Sequence, residues 1–307
     1  MALKERLQII IFVLTTLVWL SCTKNRNSTP NCDPLPLEPD FGWAYSYEGA
    51  QSSMPCFNPN SDEEFLYVRV LPDGSEVRIH NLALNKSTLV LKDKFVFPPK
   101  WGKNGWILLN LMDNNIWKIK PNGDSITNIT SGTGDLFGPN WNFSCTGISA
   151  YLSTVGAVLL NINGKVIDTF RGTPVSHPFN YLDDDHLLSF WESIGAYSIA
   201  DDTFRPMAPC DKPTCSGGVS INGNEFIWSD KTGIYRSNTI SGETELLKAT
   251  CDSKIYFYPT VNHSRTRLLW STLERVPSGN GNSLKIYRKI VSMDINGDNE
   301  HVVELPL

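Results

Sequence analysis

The residues of this chain that could carry out acid–base or metal chemistry are few and widely separated. The histidines stand at positions 80, 177, 186, 263 and 301. Two of them, His177 and His263, stand near the strands that we expect to line a central channel. A histidine pair there could bind a metal or act as a base, whereas the alternative is a polar lining that keeps the channel wet. The pattern predicts no catalytic residue, no resident metal and no cofactor.

The acidic residues cluster only in short runs. Asp183-Asp184-Asp185 follows Tyr181-Leu182 and precedes an apolar stretch, which is typical of a hairpin turn. A calcium site is the alternative, but it needs six to eight oxygens in a fixed geometry. Asp201-Asp202 is also predicted to be a turn.

The seven cysteines indicate an exported protein. Apart from Cys22, the cysteines are Cys32, Cys56, Cys145, Cys210, Cys215 and Cys251. An even number in an oxidising compartment favours disulfides, and their connectivity cannot be read from sequence alone. The short segment from Cys210 to Cys215 is the first expected pair, followed by Cys32–Cys56 and then Cys145–Cys251. The alternative is that all six are free buried thiols.

The N-terminal residues predict export to a bacterial envelope. Lys4 and Arg6 precede an apolar run from Ile9 to Leu20, which is too short for a comfortable transmembrane helix. Residues 1–21 are therefore a predicted signal peptide. Leu20-Ser21-Cys22 resembles a bacterial lipobox, in which Cys22 is lipidated after cleavage, and an ordinary cleaved signal is the alternative. The lipid would anchor the chain to a membrane, with the outer membrane favoured, facing the periplasm or the cell surface.

Residues 22–40 are polar and contain prolines at positions 30, 34, 36 and 39. This composition is typical of an extended tether that cannot form a core. The formal net charge of the whole chain is −5. Nucleic acid is not expected as a partner, because binding to phosphates needs clustered Lys and Arg.

A repeat organises the rest of the chain, residues 41–307. A proline followed by a large apolar residue recurs at Pro55, Pro99, Pro139, Pro178 and Pro259, and Gly217–Ile221 stands at the missing position. A period of about 40 residues with short apolar runs between turn residues is typical of a β-propeller with one blade per repeat. We therefore predict an all-β, six-bladed propeller with four antiparallel strands in each blade.

Two features near the repeats left alternatives open. The tryptophans 101, 141, 191, 228 and 270 recur in phase with the repeat, which favours packing between blades over a sugar-stacking surface. The segment Phe41–Tyr47 resembles a strand. It could pair with the last blade and close the ring, or it could be an added edge strand.

Two copies of the repeat resemble a known family. Ile116-Trp117-Lys118-Ile119-Lys120-Pro121-Asn122-Gly123, then Ile129-Thr130-Ser131-Gly132 and Pro139-Asn140-Trp141-Asn142, look like the TolB-type propeller repeat. In that family a strand, an Asp-Gly-like turn and Leu-Thr precede Pro-x-Trp-Ser-Pro-Asp-Gly. Here Ser-Pro-Asp-Gly is replaced by Asn142-Phe143-Ser144-Cys145 and by Gly102-Lys103-Asn104-Gly105. The resemblance implies a TolB-like propeller lipoprotein of a Gram-negative bacterium.

Three functions remained open at this point. The first is a monomeric, non-catalytic binding module that presents loops to a protein or an envelope glycan. The second is a carbohydrate-active lyase or hydrolase with a His/Asp site at the channel. The third is a glycan-binding subunit that uses Trp43, Trp106 or Trp117.

Overall fold

The computed structural model describes residues 46–47, 51–93, 98–170, 178–190, 193–209, 217–251, 253–277 and 284–306. These residues form β-strands joined by turns and loops, and the described part of the chain contains no helix. It accordingly contains no helical segment that could span a membrane. The predicted signal peptide and tether, with Cys22 and Cys32, lie outside the described residues.

The first three blades are four-stranded antiparallel sheets whose strands follow chain order. Blade 1 consists of β2 (Gln51–Phe57), β3 (Glu64–Leu71), β4 (Gly74–Asn81) and β5 (Lys86–Asp93). Blade 2 consists of β6 (Lys100–Trp101), β7 (Ile107–Asn110), β8 (Ile116–Ile119) and β9 (Thr127–Asn128). Blade 3 consists of β10 (Leu136–Trp141), β11 (Gly147–Leu152), β12 (Gly156–Asn161) and β13 (Val166–Thr169).

The next two blades repeat this order, and the sixth is built differently at its outer edge. Blade 4 consists of β14 (Pro178–Tyr181), β15 (His186–Phe190), β16 (Ser193–Ser198) and β17 (Thr203–Pro209). Blade 5 consists of β18 (Gly218–Ser220), β19 (Glu225–Ser229), β20 (Gly233–Asn238) and β21 (Thr244–Ala249). Blade 6 consists of β22 (Lys254–Val261), β23 (Arg267–Pro277) and β24 (Leu284–Asp294), with β1 (Ser46–Tyr47) and β25 (His301–Val302) at its edge.

The six innermost strands close into a ring. Each first strand of a blade contacts the first strands of both neighbouring blades, and β22 returns to contact β2. The chain is therefore a six-bladed propeller, as the repeat predicted. Ring closure gives each small sheet two neighbours against which to bury its faces.

Two short strands and a hydrogen-bonded seam complete the ring between blades 6 and 1. β1 pairs in parallel with one end of β24, and β25 pairs antiparallel with the other end. The segment before blade 1 therefore pairs with the last blade, and it does so at the outer edge. Hydrogen bonds also join β2 of blade 1 to blade 6. Gln51 Oε1 accepts the N–H of Arg288 on β24 at 2.8 Å, and the N–H of Met54 donates to Ser271 Oγ on β23 at 2.7 Å.

The repeated proline marks a β-bulge in the innermost strand. The register shifts around Pro55, Pro139 and Pro259. The residue before each of these prolines has a positive φ: 60° at Met54, 58° at Gly138 and 53° at Tyr258. Because proline has no N–H to donate, a bulge is a place where a strand tolerates it. At these three of the five repeated prolines, backbone geometry therefore explains the proline.

The buried hydrophobic residues in the described part of the chain form six clusters, one between each pair of adjacent blades. Trp141 packs with residues of blade 2, Trp101 with blade 1, Trp228 with blade 4 and Trp270 with blade 5. Trp270 is fully buried and Trp101, the most exposed of these four, is only 9% exposed. Packing between blades is thus confirmed for these four tryptophans, while Trp191 lies outside the described residues.

Candidate functional site at the channel mouth

The turn after each innermost strand faces one end of the central channel. Together these turns and strand ends enclose an open cavity of about 270 Å³, which we call the channel mouth. Every blade contributes to its wall: Pro59, Trp101, Trp141, Tyr181, Ser220 and His263 represent blades 1 to 6 in order. The cavity is therefore a product of ring closure and belongs to no single blade.

Side-chain amides hold these turns in shape. Asn142 Oδ1 accepts the N–H groups of Thr146 and Gly147 at 2.8 and 2.9 Å. In blade 6, Asn262 Oδ1 accepts two N–H groups in the same way, both at 2.9 Å. Asparagine favours such turns because its side chain can bond to the backbone a few residues ahead. The loops around the mouth are thereby ordered before any ligand arrives.

Hydrogen bonds also join neighbouring turns. The N–H of Ser264 donates to Asp62 Oδ1 at 2.6 Å, and the N–H of Ser144 donates to Asp184 Oδ1 at 2.8 Å. The bond from Ser264 lowers the pKa of Asp62. His263 Nδ1 lies 2.8 Å from the carbonyl oxygen of Pro59. The rim of the mouth is therefore connected across the seam between blades 6 and 1.

One position of the repeat forms a belt around the channel. It stands two residues before the residue that opens the first turn of each blade. The six residues at this position, which we call the channel belt, are Cys56, Lys100, Asn140, Asn180, Val219 and Thr260. Four of the six carry nitrogen or oxygen side-chain atoms.

Three members of the belt form a polar cluster. Lys100 Nζ donates to Asn180 Oδ1 at 3.2 Å, and Asn140 Nδ2 donates to the same oxygen at 2.9 Å. Asn180 Nδ2 donates in turn to the carbonyl oxygen of Gly218. Lys100 belongs to blade 2 and Asn180 to blade 4, so this contact crosses the channel. Asn140 and Asn180 both line the channel mouth.

Burial shapes the electrostatics of this cluster. It lowers the pKa of the Lys100 ammonium, and the nearby Cys56 side chain opposes this only in part. Burial also raises the pKa of the Cys56 thiol, although Lys100 and the N–H of Trp101 act in the opposite direction. In the described part of the chain, no carboxylate lies within ion-pair distance of Lys100 Nζ.

The described wall of the mouth carries three basic residues and no acidic one. They are Lys103, His263 and Arg265, and none of the described lining residues is Asp or Glu. Lys103 Nζ lies 4.0 Å from the ring centroid of Phe143. Arg265 has a φ of 59°, at a turn position where glycine would be unstrained. The wall itself is therefore basic, whereas the carboxylates of Asp62 and Asp184 lie on the rim, where each accepts a backbone N–H of a neighbouring turn.

The structure separates most of the histidines. His80 is buried in blade 1, His186 contacts Asp183 in blade 4, and His301 lies on β25 at the edge of blade 6. His263 stands at the mouth, on the turn after β22, while its proposed partner His177 lies outside the described residues. The described histidines thus do not meet, and the belt cluster replaces them as the polar feature of the channel.

Two predicted disulfides are wrong. Cys56 and Cys145 are free thiols, so neither the Cys32–Cys56 nor the Cys145–Cys251 pair forms. Cys56 Sγ accepts the N–H of Trp101 at 3.4 Å, and the buried Cys145 Sγ accepts that of Lys103 at 3.2 Å. Cys251 is disulfide-bonded, and its partner lies outside the described residues. Cys210 and Cys215 also lie outside them.

The tryptophans considered for glycan stacking are occupied by other contacts. Lys120 Nζ lies 4.0 Å from the ring centroid of Trp106. Trp117 packs against the cluster between blades 1 and 2, and its Nε1 donates to Asp113 Oδ2 at 3.0 Å. Trp43 lies outside the described residues. The Asp183–Asp185 run is a turn between β14 and β15, as predicted, and Asp201-Asp202 is also a turn.

Among the described residues, no three or more His, Cys, Asp or Glu side chains are arranged to hold a metal ion. The described wall of the channel mouth instead offers side-chain amides, the exposed ring of Phe143 and cationic groups, whereas the Trp141 Nε1 and Tyr181 hydroxyl atoms are buried. These groups can bind polar or anionic ligands through hydrogen bonds and ring contacts.

The comparisons with known proteins concern the fold alone. No family model and no curated protein sequence matches the chain. A putative TolB from Agrobacterium tumefaciens superposes with a TM-score of 0.59 at 13% identity, covering 84% of this chain and 90% of that one. An oligogalacturonate lyase from Vibrio parahaemolyticus gives 0.52 at 11% identity, covering 82% and 78%. The β-propeller domain of the Trilobed protease from Pyrococcus furiosus gives 0.50 at 13% identity, covering 84% and 98%.

The repeat motifs, the closed ring of five four-stranded blades and a five-stranded sixth blade, and these superpositions agree, and this chain has the TolB-like six-bladed β-propeller fold.

Proposed function

We propose that this chain is a non-catalytic binding module held at the bacterial cell envelope by a lipid on Cys22. Its ligand site is the channel mouth, where it takes up part of a protein or of an envelope glycan. The observation that carries the proposal is the cavity itself, because all six blades contribute to its wall. Concave sites with aromatic walls and a few fixed polar groups are the usual form of ligand sites.

The rigidity of the rim supports this proposal. The turns are held by their own asparagines and by bonds between neighbouring turns, so little ordering entropy is lost when a ligand binds. Arg265 stands in the left-handed region at a cost of about 1 kcal/mol. Gly105 in blade 2 and Cys145 in blade 3 also have a positive φ at the equivalent turn position, so the shared form of the turn places this cation at the cavity wall.

A second candidate is a carbohydrate-active enzyme that uses His177 and His263. The name of one structural neighbour, an oligogalacturonate lyase, favours it. The position of His263 at the mouth is compatible with that activity.

Capture from a bacterial envelope extract tests the binding proposal. Phe143→Ser removes an aromatic side chain that is 37% exposed at the mouth, and Ile167→Ser removes an exposed side chain from β13 of the same blade as a control. We expect Phe143→Ser to reduce capture of the partner at least fivefold and Ile167→Ser to leave it unchanged. Equal capture by both variants, or a turnover activity abolished by His263→Ala, would contradict the proposal.

The anchor is tested separately in a Gram-negative host grown with radiolabelled palmitate. The full chain is expected to incorporate label and to sediment with membranes. Cys22→Ala is expected to lose both properties, whereas Cys32→Ala should keep them. Labelling that persists in Cys22→Ala would contradict the lipid anchor and would leave the mouth unaffected.

A further inference from the structure

Lys100 is a cation that lacks a counter-ion in the described part of the chain. Its only hydrogen-bond acceptor there is the neutral amide oxygen of Asn180, at 3.2 Å. An ammonium group has three donors, so the amide leaves most of its capacity unused.

This arrangement has a cost in the free protein. Lys100 is half-buried, and withdrawing an ammonium group from water without an opposite charge nearby is unfavourable, so lysines in such positions are normally paired. A hydrophobic or neutral residue at this belt position would avoid that cost, as Val219 and Thr260 do in blades 5 and 6. The cost is offset if a bound ligand supplies the missing charge.

We propose that Lys100 binds the carboxylate of an acidic ligand that enters through the channel mouth. The inference rests on the proposed function, in that the mouth must be the ligand site. Asn180 lines the cavity and its Oδ1 lies 3.2 Å from Lys100 Nζ, so a carboxylate that takes the place of this oxygen as acceptor comes within reach of the flexible ammonium group.

The rest of the wall defines the remainder of the ligand. Phe143 lines the cavity with a ring that is 37% exposed, whereas Trp101, Trp141 and Tyr181 reach the wall but are at most 9% exposed. Lys103 and Arg265 add positive charge to the described lining, which carries no carboxylate, and the two carboxylates of the rim, Asp62 and Asp184, each accept a backbone N–H of a neighbouring turn. A cavity of about 270 Å³ admits a group the size of an aromatic side chain. The ligand class is therefore a carboxylate attached to an aromatic or apolar body, either a small acid or the C-terminus of a peptide.

Calorimetric titration of the full chain in detergent tests this inference with two matched pairs of probes. Phenylacetate is compared with phenylacetamide, and a hexapeptide ending in phenylalanine is compared with its C-terminal amide. We expect the acids to bind at least tenfold more tightly than the amides, because a charge-assisted hydrogen bond is about twice as strong as a neutral one. Tight binding by phenylacetate identifies a small acid as the source, and tight binding by the peptide acid alone identifies a chain terminus.

Lys100→Met retains the length of the side chain and removes its charge, and Lys86→Met on the exposed strand β5 is the control. We expect Lys100→Met to lose at least tenfold in affinity for the acids and to melt at a higher temperature than the wild type, since an unpaired charge is removed. Equal affinity for acid and amide, absence of binding by all four probes, or undiminished binding by Lys100→Met would overturn the inference. The Phe143→Ser capture experiment does not depend on these probes, so the two proposals can fail separately.

Discussion

Lys100 and Asn180 meet across the central channel, with Lys100 Nζ 3.2 Å from Asn180 Oδ1. They are separated by 80 residues, or two blades, and occupy equivalent positions of the repeat. A pair that skips a blade can only form inside the ring. The contact therefore forms only when the ring is closed.

Asn180→Leu should destabilise the protein by about 2–3 kcal/mol. The substitution keeps the approximate size of the side chain, but it leaves the Lys100 ammonium without its acceptor and the Gly218 carbonyl without a donor. Urea unfolding of the full chain measures the loss. In a Lys100→Met background we expect the cost to fall by at least 1 kcal/mol, because the two residues are coupled. Full additivity of the two changes would show that the contact contributes no free energy.

Gly102→Ala should disturb the mouth through Trp141. A Cβ at Gly102 would lie 2.8 Å from Trp141 Nε1 and 2.7 Å from Asn104 Oδ1, which is too close for unbonded atoms. We expect a loss of about 1–3 kcal/mol and a change in tryptophan fluorescence, since overpacking forces side chains to move.

The matched control is Gly147→Ala, in which the nearest atom to the new Cβ lies at 3.5 Å. That substitution should cost less than about 1 kcal/mol and leave the fluorescence unchanged. If Gly102→Ala is as stable as Gly147→Ala, the close packing of Trp141 on the first turn of blade 2 does not hold.

The fold could be predicted from the sequence because its determinants are local and repeated. Pro55, Pro139 and Pro259 mark the bulged innermost strands, and Trp101, Trp141 and Trp270 follow them into the spaces between blades. A strand's own residues largely determine these features.

The candidate site could be predicted only in part, because it is assembled across the ring. The channel belt includes residues that directly follow a repeated proline. Lys100 follows Pro99, and Asn140 follows Pro139. This shared position in the repeat is the feature of the sequence that could have predicted the belt, whereas the histidines stand at unrelated positions. The contact between Lys100 and Asn180 joins two non-adjacent blades, so only the closed ring shows it. Two of the three disulfide predictions, Cys32–Cys56 and Cys145–Cys251, failed for a related reason, because residue counts do not show which cysteines come close together.

Glu300→Gln should weaken the junction between blades 5 and 6 in a pH-dependent manner. Glu300 accepts bonds from Lys248 and Lys254, both at 2.5 Å, and from the Tyr256 hydroxyl at 2.7 Å. Burial alone would raise the pKa of Glu300, but these three donors lower it to about 2. We expect a loss of about 2 kcal/mol at pH 7, since charged partners are left unpaired.

The difference in the free energy of unfolding between the wild type and Glu300→Gln should disappear at low pH. A carboxylate whose pKa is lowered by folding stabilises the protein above its unfolded pKa, near 4.5, and this contribution is lost as the pH falls towards 2. Urea unfolding between pH 7 and pH 2 checks the trend, with the exposed Glu304→Gln as control. A difference between wild type and Glu300→Gln that is constant across this range would contradict the assignment.

Arg265→Gly should weaken ligand binding at the mouth without lowering the stability of the protein. Glycine adopts a φ of 59° without strain, and relief of about 1 kcal/mol is partly offset by the entropy of the more flexible unfolded chain. We therefore expect the stability to be unchanged or raised by up to about 0.5 kcal/mol, while the affinity for an acidic ligand falls two- to fivefold because a rim cation is lost. Arg265→Lys keeps both the strain and the charge, and should match the wild type in both measurements. A marked loss of stability in Arg265→Gly would instead mean that Arg265 holds the turn, and that its conformation reflects the packing of blade 6.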